Sequence, residues 1–138
     1  MRILILDDDK DRHDGFAELY ANDERVHVYT AEHAAQALDS QDFDAVYLDH
    51  DLNGTAYAPS STESGYAAAV HITHMAPERR PKKVFVHSWN PPGAYNMVRV
   101  LRRAGVDVVY KPYWIGYETA AEGCEEAFHT WEKMHGKA

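Results

Sequence analysis

The stretch 46-VYLDHDLNG-54 runs apolar through Leu48 and then places Asp49, His50 and Asp51 in succession. A segment apolar at successive positions suits a strand covered on both faces, as in a parallel sheet packed between helices. Ionisable side chains where such a strand stops belong to its carboxyl end. Working outward, four further apolar or β-branched runs share this form: 2-RILIL-6, 26-VHVYT-30, 84-VFV-86 and 106-VDVVY-110. Helix-like segments separate most of them, over about 11–22, 31–40, 64–76, 93–104 and 119–135. The alternation predicts an α/β fold built on a parallel sheet.

Local signals support these boundaries. Asp9 or Asp11 suits the N-cap of the first helix. Segment 93–104 follows Pro91-Pro92-Gly93, carries Met97, Val98 and Leu101 at core-facing spacing, and ends at Ala104-Gly105 with Arg102 and Arg103 in its last turn. The stretch 53-NGTAYAPSSTES-64 reads as a surface loop and, directly after an acidic strand end, as a lid. There is no internal repeat.

Sorted by strand, the charged residues form a pattern. Asp7-Asp8-Asp9 follow the first run, Asp49-His50-Asp51 the third, His87-Ser88 the fourth and Lys111 the fifth. In open parallel α/β sheets, ligands bind beyond those carboxyl ends. Turn and capping chemistry accounts for one such acidic run; four clusters on four strand ends point to a site. Crowded carboxylates take up protons unless a cation compensates them. Mg²⁺, which prefers oxygen ligands and retains several waters, is the expected ion, with Mn²⁺ admitted by the same donors. Asp49 then reads as a metal ligand or a nucleophile, with Ser88 and Lys111 binding a phosphoryl group.

Strand alternation sends neighbouring side chains to opposite faces, so His87 and Ser88 face one site only if the chain turns there. The same alternation puts Asp49 and Asp51 on one side and makes Asp51 a candidate second ligand, directly or through water. Asn90 and Gly93 flank the prolines that open a helix whose first amides offer either an anion site or a plain helix entry. Arg12 either reaches back to grip a phosphate bidentately or stays on a solvated helix face. His13, His27, His33, His71, His74, His129 and His135 show no ligand set; His71 and His74 lie three apart without a matched carboxylate. Tyr113 and Trp114 either stack on a base near the rim or pack in the core.

Composition narrows the function classes. The 138 residues suit one domain spanning 1–138, and the lone Cys124, on a helix, cannot form an internal disulfide. The first apolar run is too short for a signal peptide, and no run approaches a membrane span, so a cytoplasmic protein is expected. With 22 acidic against 14 basic residues and a formal charge of −8, extended nucleic-acid binding is disfavoured.

The strand-end residues resemble the receiver domains of two-component response regulators over nearly the whole chain. Asp7-Asp8, Asp49, Ser88 and Lys111-Pro112 stand where receivers carry an acidic pair, a phospho-accepting aspartate, a hydroxyl and Lys-Pro. That resemblance implies a (βα)5, flavodoxin-like three-layer sandwich with strand order 2-1-3-4-5. It also implies Mg²⁺ on Asp7, Asp8 and Asp49, and, for signalling, a histidine kinase and an effector protein as partners. Two departures stand out: His50-Asp51-Leu52-Asn53-Gly54 follows the acceptor aspartate, and His87 precedes the hydroxyl. The segments 6-LDDDKDRHDGF-16, 48-LDHDL-52 and 87-HSWNPPG-93 are more similar to the cyclic-phosphate-processing receiver domains. That resemblance implies metal-dependent phosphoesterase chemistry on a cyclic nucleotide or RNA end. Asp7, Asp8, Asp49 and Asp51 would hold the ion and His50 and His87 would carry protons. Arg12, Ser88, Asn90, Gly93 and Lys111 would bind the phosphate. The alternative is phosphorylation of Asp49 in a signalling switch.

Overall fold

A computed structural model describes residues 1–52 and 59–138. The chain alternates β1 (Arg2–Leu6), α1 (Lys10–Leu19), β2 (Glu24–Val28), α2 (Ala31–Ser40), β3 (Ala45–Leu48), α3 (Gly65–His74), β4 (Lys83–Val86), α4 (Pro91–Arg103), β5 (Val108–Tyr110) and α5 (Glu118–His135), with a short 3₁₀ turn at Pro77–Arg79. All strand pairs are parallel and the sheet order is β2-β1-β3-β4-β5. No helix among the described residues is long and apolar enough to cross a membrane.

The period-2 facing of each strand divides the interior. Leu4, Leu6, Val46, Leu48, Val84, Val86 and Val108 face the larger core with Leu38 of α2, Ile72 of α3, and Met97, Val98 and Leu101 of α4. Ile3, Ile5, Ala45 and Tyr47 face a smaller core built around Phe16 of α1 and Tyr113. Both faces are apolar, which is why β1 and β3 read as unbroken apolar runs.

Several boundaries differ from expectation for local reasons. β2 begins at Glu24, which pairs with Arg2, and ends before Thr30, because the Thr30 hydroxyl caps α2 by accepting from the His33 amide at 3.1 Å. β5 starts only at Val108, since the Val106 amide is taken by the Leu101 carbonyl at the exit of α4. α4 begins at Pro91 rather than 93: prolines at its first two positions give up no hydrogen bond, and the Asn90 side chain caps the Gly93 amide at 3.1 Å. Asp9 is the N-cap of α1, accepting from the Asp11 and Arg12 amides. Cys124 lies on α5. The loop and lid expected over 53–64 lie outside the described residues from 53 to 58.

Candidate active site at the strand ends

The backbone ladder runs one residue past each strand. The Asp7 amide donates to Val28, Asp49 to Leu6, His87 to Leu48 and Lys111 to Val86, at 3.2, 3.0, 3.0 and 2.8 Å. Asp7, Asp49, His87 and Lys111 therefore stand in one row, and alternation turns that row toward α1. His50 and Ser88, one residue further on, belong to the opposite side. The strand ends thus present two separate groups of side chains.

Arg12, in the capped first turn of α1, is the centre of the α1-side group. Its Nε donates to Asp7 Oδ2 and its Nη2 to Asp7 Oδ1, each at 2.8 Å. The same guanidinium lies 3.6 Å from Asp8, 3.5 Å from Asp9 and 3.6 Å from Asp49. His87 Nε2 is 2.7 Å from Asp7 Oδ2, and the Asp9 amide donates to Asp7 Oδ1 at 2.9 Å. Asp7 thus accepts four hydrogen bonds, which fills the acceptor positions of a carboxylate. Arg12, expected to grip a phosphate or face solvent, spends its fork on this acid.

The three buried groups hold their protons differently. Burial favours the neutral form of Asp7, but the hydrogen bonds and charges of His87 and Arg12 outweigh it and keep the acid well below the usual carboxylate range. Asp49 is pushed well above that range by burial and then by the negative charge of Asp7, only partly offset by Arg12. Burial likewise lowers His87, against the pull of Asp7. A neutral His87 donating from Nε2 to an ionised Asp7 fits this balance, and among the described residues its buried Nδ1 has no partner.

Among the described residues, Asp7, Asp49 and His87 form the group whose donor atoms all lie within 4.8 Å of one another. Two carboxylates and an imidazole suit Mn²⁺ better than Mg²⁺, since the nitrogen donor is softer than oxygen. Because Asp7 is saturated, a cation there must displace Arg12 or His87. Asp8 lies beside the group, whereas Asp51 is not part of it: having left the strand, Asp51 accepts from Asn90 Nδ2 at 2.9 Å and contacts the His50 ring. Lys111 is exposed, its Nζ 4.1 Å above the centre of the Trp114 ring.

On the opposite side, His50 is fully buried, with Nδ1 2.8 Å from Asp51 Oδ1 and Nε2 2.9 Å from Ser60 Oγ. A Cβ on Gly93 would meet this ring at 2.6 to 2.7 Å, so the absence of a side chain lets α4 approach. Gly65 serves β3 in the same way: its amide donates to the His50 carbonyl at 2.8 Å, and a Cβ would overlap the Asp49 carbonyl oxygen. Ser88 Oγ accepts from the Asn90 amide at 3.0 Å, so it acts in the entry to α4. The backbone links the two groups, the His50 amide donating to Asp49 Oδ1 at 2.9 Å.

Other residues find ordinary partners. His71 meets Asp39 at 2.7 Å, a carboxylate the sequence did not suggest, and His13 Nε2 donates to the Asp7 carbonyl while its Nδ1 meets His27. Tyr113 packs edge-on against Phe16 in the smaller core. Ser60 and Asn96 had no sequence signal: one sits in a polar run, the other on an exposed helix position.

The model of the Cyclic-phosphate processing Receiver domain family matches residues 2–103. No curated protein matches. Among solved structures, the chain is similar to a CheY-like response regulator receiver domain from Methylobacillus flagellatus, at 20% identity and a TM-score of 0.59, covering 90% of this chain and 98% of that one. A receiver domain of a sensor histidine kinase from Pseudomonas aeruginosa, with magnesium coordinated in its active-site cleft, matches at 20% identity and a TM-score of 0.57, covering 94% and 95%. A response regulator from Burkholderia pseudomallei, holding a phosphorylated aspartic acid, a calcium ion and citrate, matches at 14% identity and a TM-score of 0.56, covering 97% and 74%. The fold is the (βα)5 receiver fold, an α/β flavodoxin-like architecture.

Proposed function

The chain belongs to the cyclic-phosphate processing receiver domains, and from that premise we propose that it is a metal-dependent phosphoesterase opening a cyclic phosphate on a nucleotide or an RNA end. The observation that carries the reading is His87 standing in the same row as Asp7 and Asp49, with donor atoms of all three within 4.8 Å. Asp7, Asp49 and His87 would hold Mn²⁺ or Mg²⁺, with Asp8 beside them. When bound, the ion would neutralise phosphoryl charge and lower the pKa of a water. Arg12, released from Asp7 by the ion, would bind phosphoryl oxygens bidentately. Asp49, whose carboxyl is held above the usual range by burial and the charge of Asp7, would ionise on taking the ion, and His87 beside it would exchange the proton with the leaving alkoxide. Lys111, exposed in the same row, is the supporting candidate for the phosphate, whereas the polar groups of Ser88, Asn90 and Gly93 are engaged in the entry to α4 on the opposite side. The charge of −8 favours a small or terminal substrate over a long polynucleotide.

A second reading is a signalling receiver, phosphorylated at Asp49 by a histidine kinase and read by an effector through α4 and β5. The solved neighbours favour it, one by its phosphorylated aspartate and one by its magnesium. Against it stand the raised proton affinity of Asp49, which blunts a nucleophile, and Lys111 directed over Trp114. The test is incubation with Mn²⁺ or Mg²⁺ and a panel of 2′,3′- and 3′,5′-cyclic nucleotides, in parallel with a small-molecule phosphodonor. Turnover lost in His87→Ala and Asp49→Asn is the expected result. A stoichiometric acid-labile adduct, absent in Asp49→Asn and without turnover, would replace the first reading by the second.

A further inference from the structure

The side of the strand ends away from Arg12 carries a feature that stands outside the Asp7, Asp49 and His87 cluster. Asp51 Oδ1, His50 and Ser60 Oγ are linked through the two ring nitrogens at 2.8 and 2.9 Å. A carboxylate accepts only, so His50 Nδ1 carries the proton toward Asp51 and leaves the Nε2 lone pair facing the hydroxyl. Ser60 has a compatible second partner: Asn96 Nδ2 donates to its Oγ at 3.0 Å, leaving the hydroxyl proton for His50. The orienting parts are fixed as well. Asn90 Nδ2 holds the Asp51 carboxylate at 2.9 Å, and the ring is packed against the backbone of Gly93. This is the nucleophile, base and orienting-acid arrangement recognised by geometry and not by sequence order.

The relay opens on a groove. A cavity of about 560 Å³ is lined by Ser60, Tyr66, Asn96, Arg99, Val100 and Arg103. Among the described residues neither arginine pairs with a carboxylate, although much of the surface is acidic. Arg99 and Arg103 lie one helical turn apart on α4, so both present to the same wall. Two guanidinium groups without a carboxylate partner among the described residues, that of Arg99 5.9 Å from the centre of the Tyr95 ring, select an anionic ligand beside the hydroxyl.

We propose that Ser60, His50 and Asp51 form a second, serine-hydrolase-type site that cleaves a carboxylic ester bearing an anionic group. Ser60 Oγ bonds to the ester carbonyl carbon while its proton passes to His50 Nε2. The carbon–alkoxy bond then breaks and the alcohol leaves with that proton, forming an acyl-serine. Water adds to the acyl carbon, gives a proton to His50, and releases the carboxylic acid as Ser60 regains its proton. Asn96 Nδ2 is the side-chain donor beside the reacting oxygen, and Arg99 and Arg103 hold the substrate's anion. The proposal is independent of the phosphoesterase reading, because none of its three reacting groups belongs to the Asp7, Asp49 and His87 cluster.

The test is covalent labelling of the full chain with a fluorophosphonate probe, mapped by peptide mass spectrometry, with hydrolysis of a neutral and a succinate-type p-nitrophenyl ester measured in parallel. The expected results are a single adduct on Ser60, loss of label and hydrolysis in Ser60→Ala, and at least a 100-fold slower labelling in His50→Gln. The paired change Arg99→Gln and Arg103→Gln is expected to lower hydrolysis of the anionic ester at least tenfold and leave the neutral ester unchanged. Ser60→Ala should also leave Mn²⁺ binding intact, which separates a lost nucleophile from a lost fold. Label elsewhere, or labelling of Ser60 unaffected by His50→Gln, would overturn the proposal and reduce the relay to a tether between the β3 exit and α4.

Discussion

The two sides of the strand ends are built from neighbouring residues, yet they balance charge in opposite ways. On the α1 side, an ionised Asp7, an Asp49 of raised proton affinity and His87 crowd near one guanidinium, and among the described residues the buried His87 Nδ1 has no partner. On the α4 side, the polar atoms of His50 and Ser60 pair in sequence with Asp51 and Asn96, and a glycine is fitted to the ring. The contrast separates a site that is electrostatically loaded before any ligand arrives from one that is already satisfied. A loaded site gives up stability and gains from a ligand; a satisfied one gains little.

That difference can be broken most sharply at Arg12. Arg12→Ala leaves Asp7 buried without its fork and is expected to cost about 2–4 kcal/mol, below the full cost of a deeply buried pair because Arg12 is partly exposed. Chemical denaturation with and without saturating Mn²⁺ checks it: the deficit should shrink with the ion, and the variant should bind Mn²⁺ more tightly than the parent. A loss unaffected by Mn²⁺ would mean that the guanidinium does not compete with a cation. On the satisfied side, Gly93→Ala forces a methyl against the His50 ring and should cost about 1–3 kcal/mol by overpacking. Its Mn²⁺ affinity should stay at the parent value, and any shift would show the two sides to be coupled.

A smaller effect of opposite sign is expected at Asp49. A buried acid whose folded proton affinity is raised contributes stability fully below its unfolded value, and that contribution is lost as pH rises through the folded value. Asp49→Asn has no proton to lose, so it should be more stable than the parent by about 1 kcal/mol at neutral pH, with the margin growing as pH rises. Thermal melts across pH 5 to 9 test the trend, and a constant margin would contradict it. The smallest effect is expected at His87, whose folded value is lowered by burial. Its contribution is present above the ordinary imidazole value near 6.5 and is lost as pH falls from there through the folded value. His87→Gln should remove that slope from the stability profile below pH 6.5.

Much of this was legible in the sequence where one residue type carries one physical consequence. Unbroken apolar runs gave doubly covered strands, and acids at their ends marked the carboxyl rim. The Asp7, Asp49 and His87 row follows from counting residues past each strand. Arg12 was visible, but its partner was not: a helix-face arginine reaches carboxylate or phosphate equally well in one dimension, and only the capped first turn of α1 decides which lies nearby. Asp51 illustrates a different failure, because alternation holds only while the chain stays extended. Ser60 and Asn96 meet through a loop and an exposed helix position, where neither periodicity nor propensity distinguishes a partner from a solvated side chain.

The ladder that carries the pairing one residue beyond each strand also works as a reading frame. Facing depends on whether the residue count along a strand is odd or even, and a one-residue slip exchanges the faces. Removing a single residue from β3 would carry Asp49 to the α4 side and bring His50 before Arg12, scrambling both sites without altering the fold's connectivity. Length changes within these strands are therefore tolerable only in pairs, whereas the connections at the other end of the sheet are free of that parity. Divergent members of such a fold should keep their strand parity even where they exchange every residue on the rim.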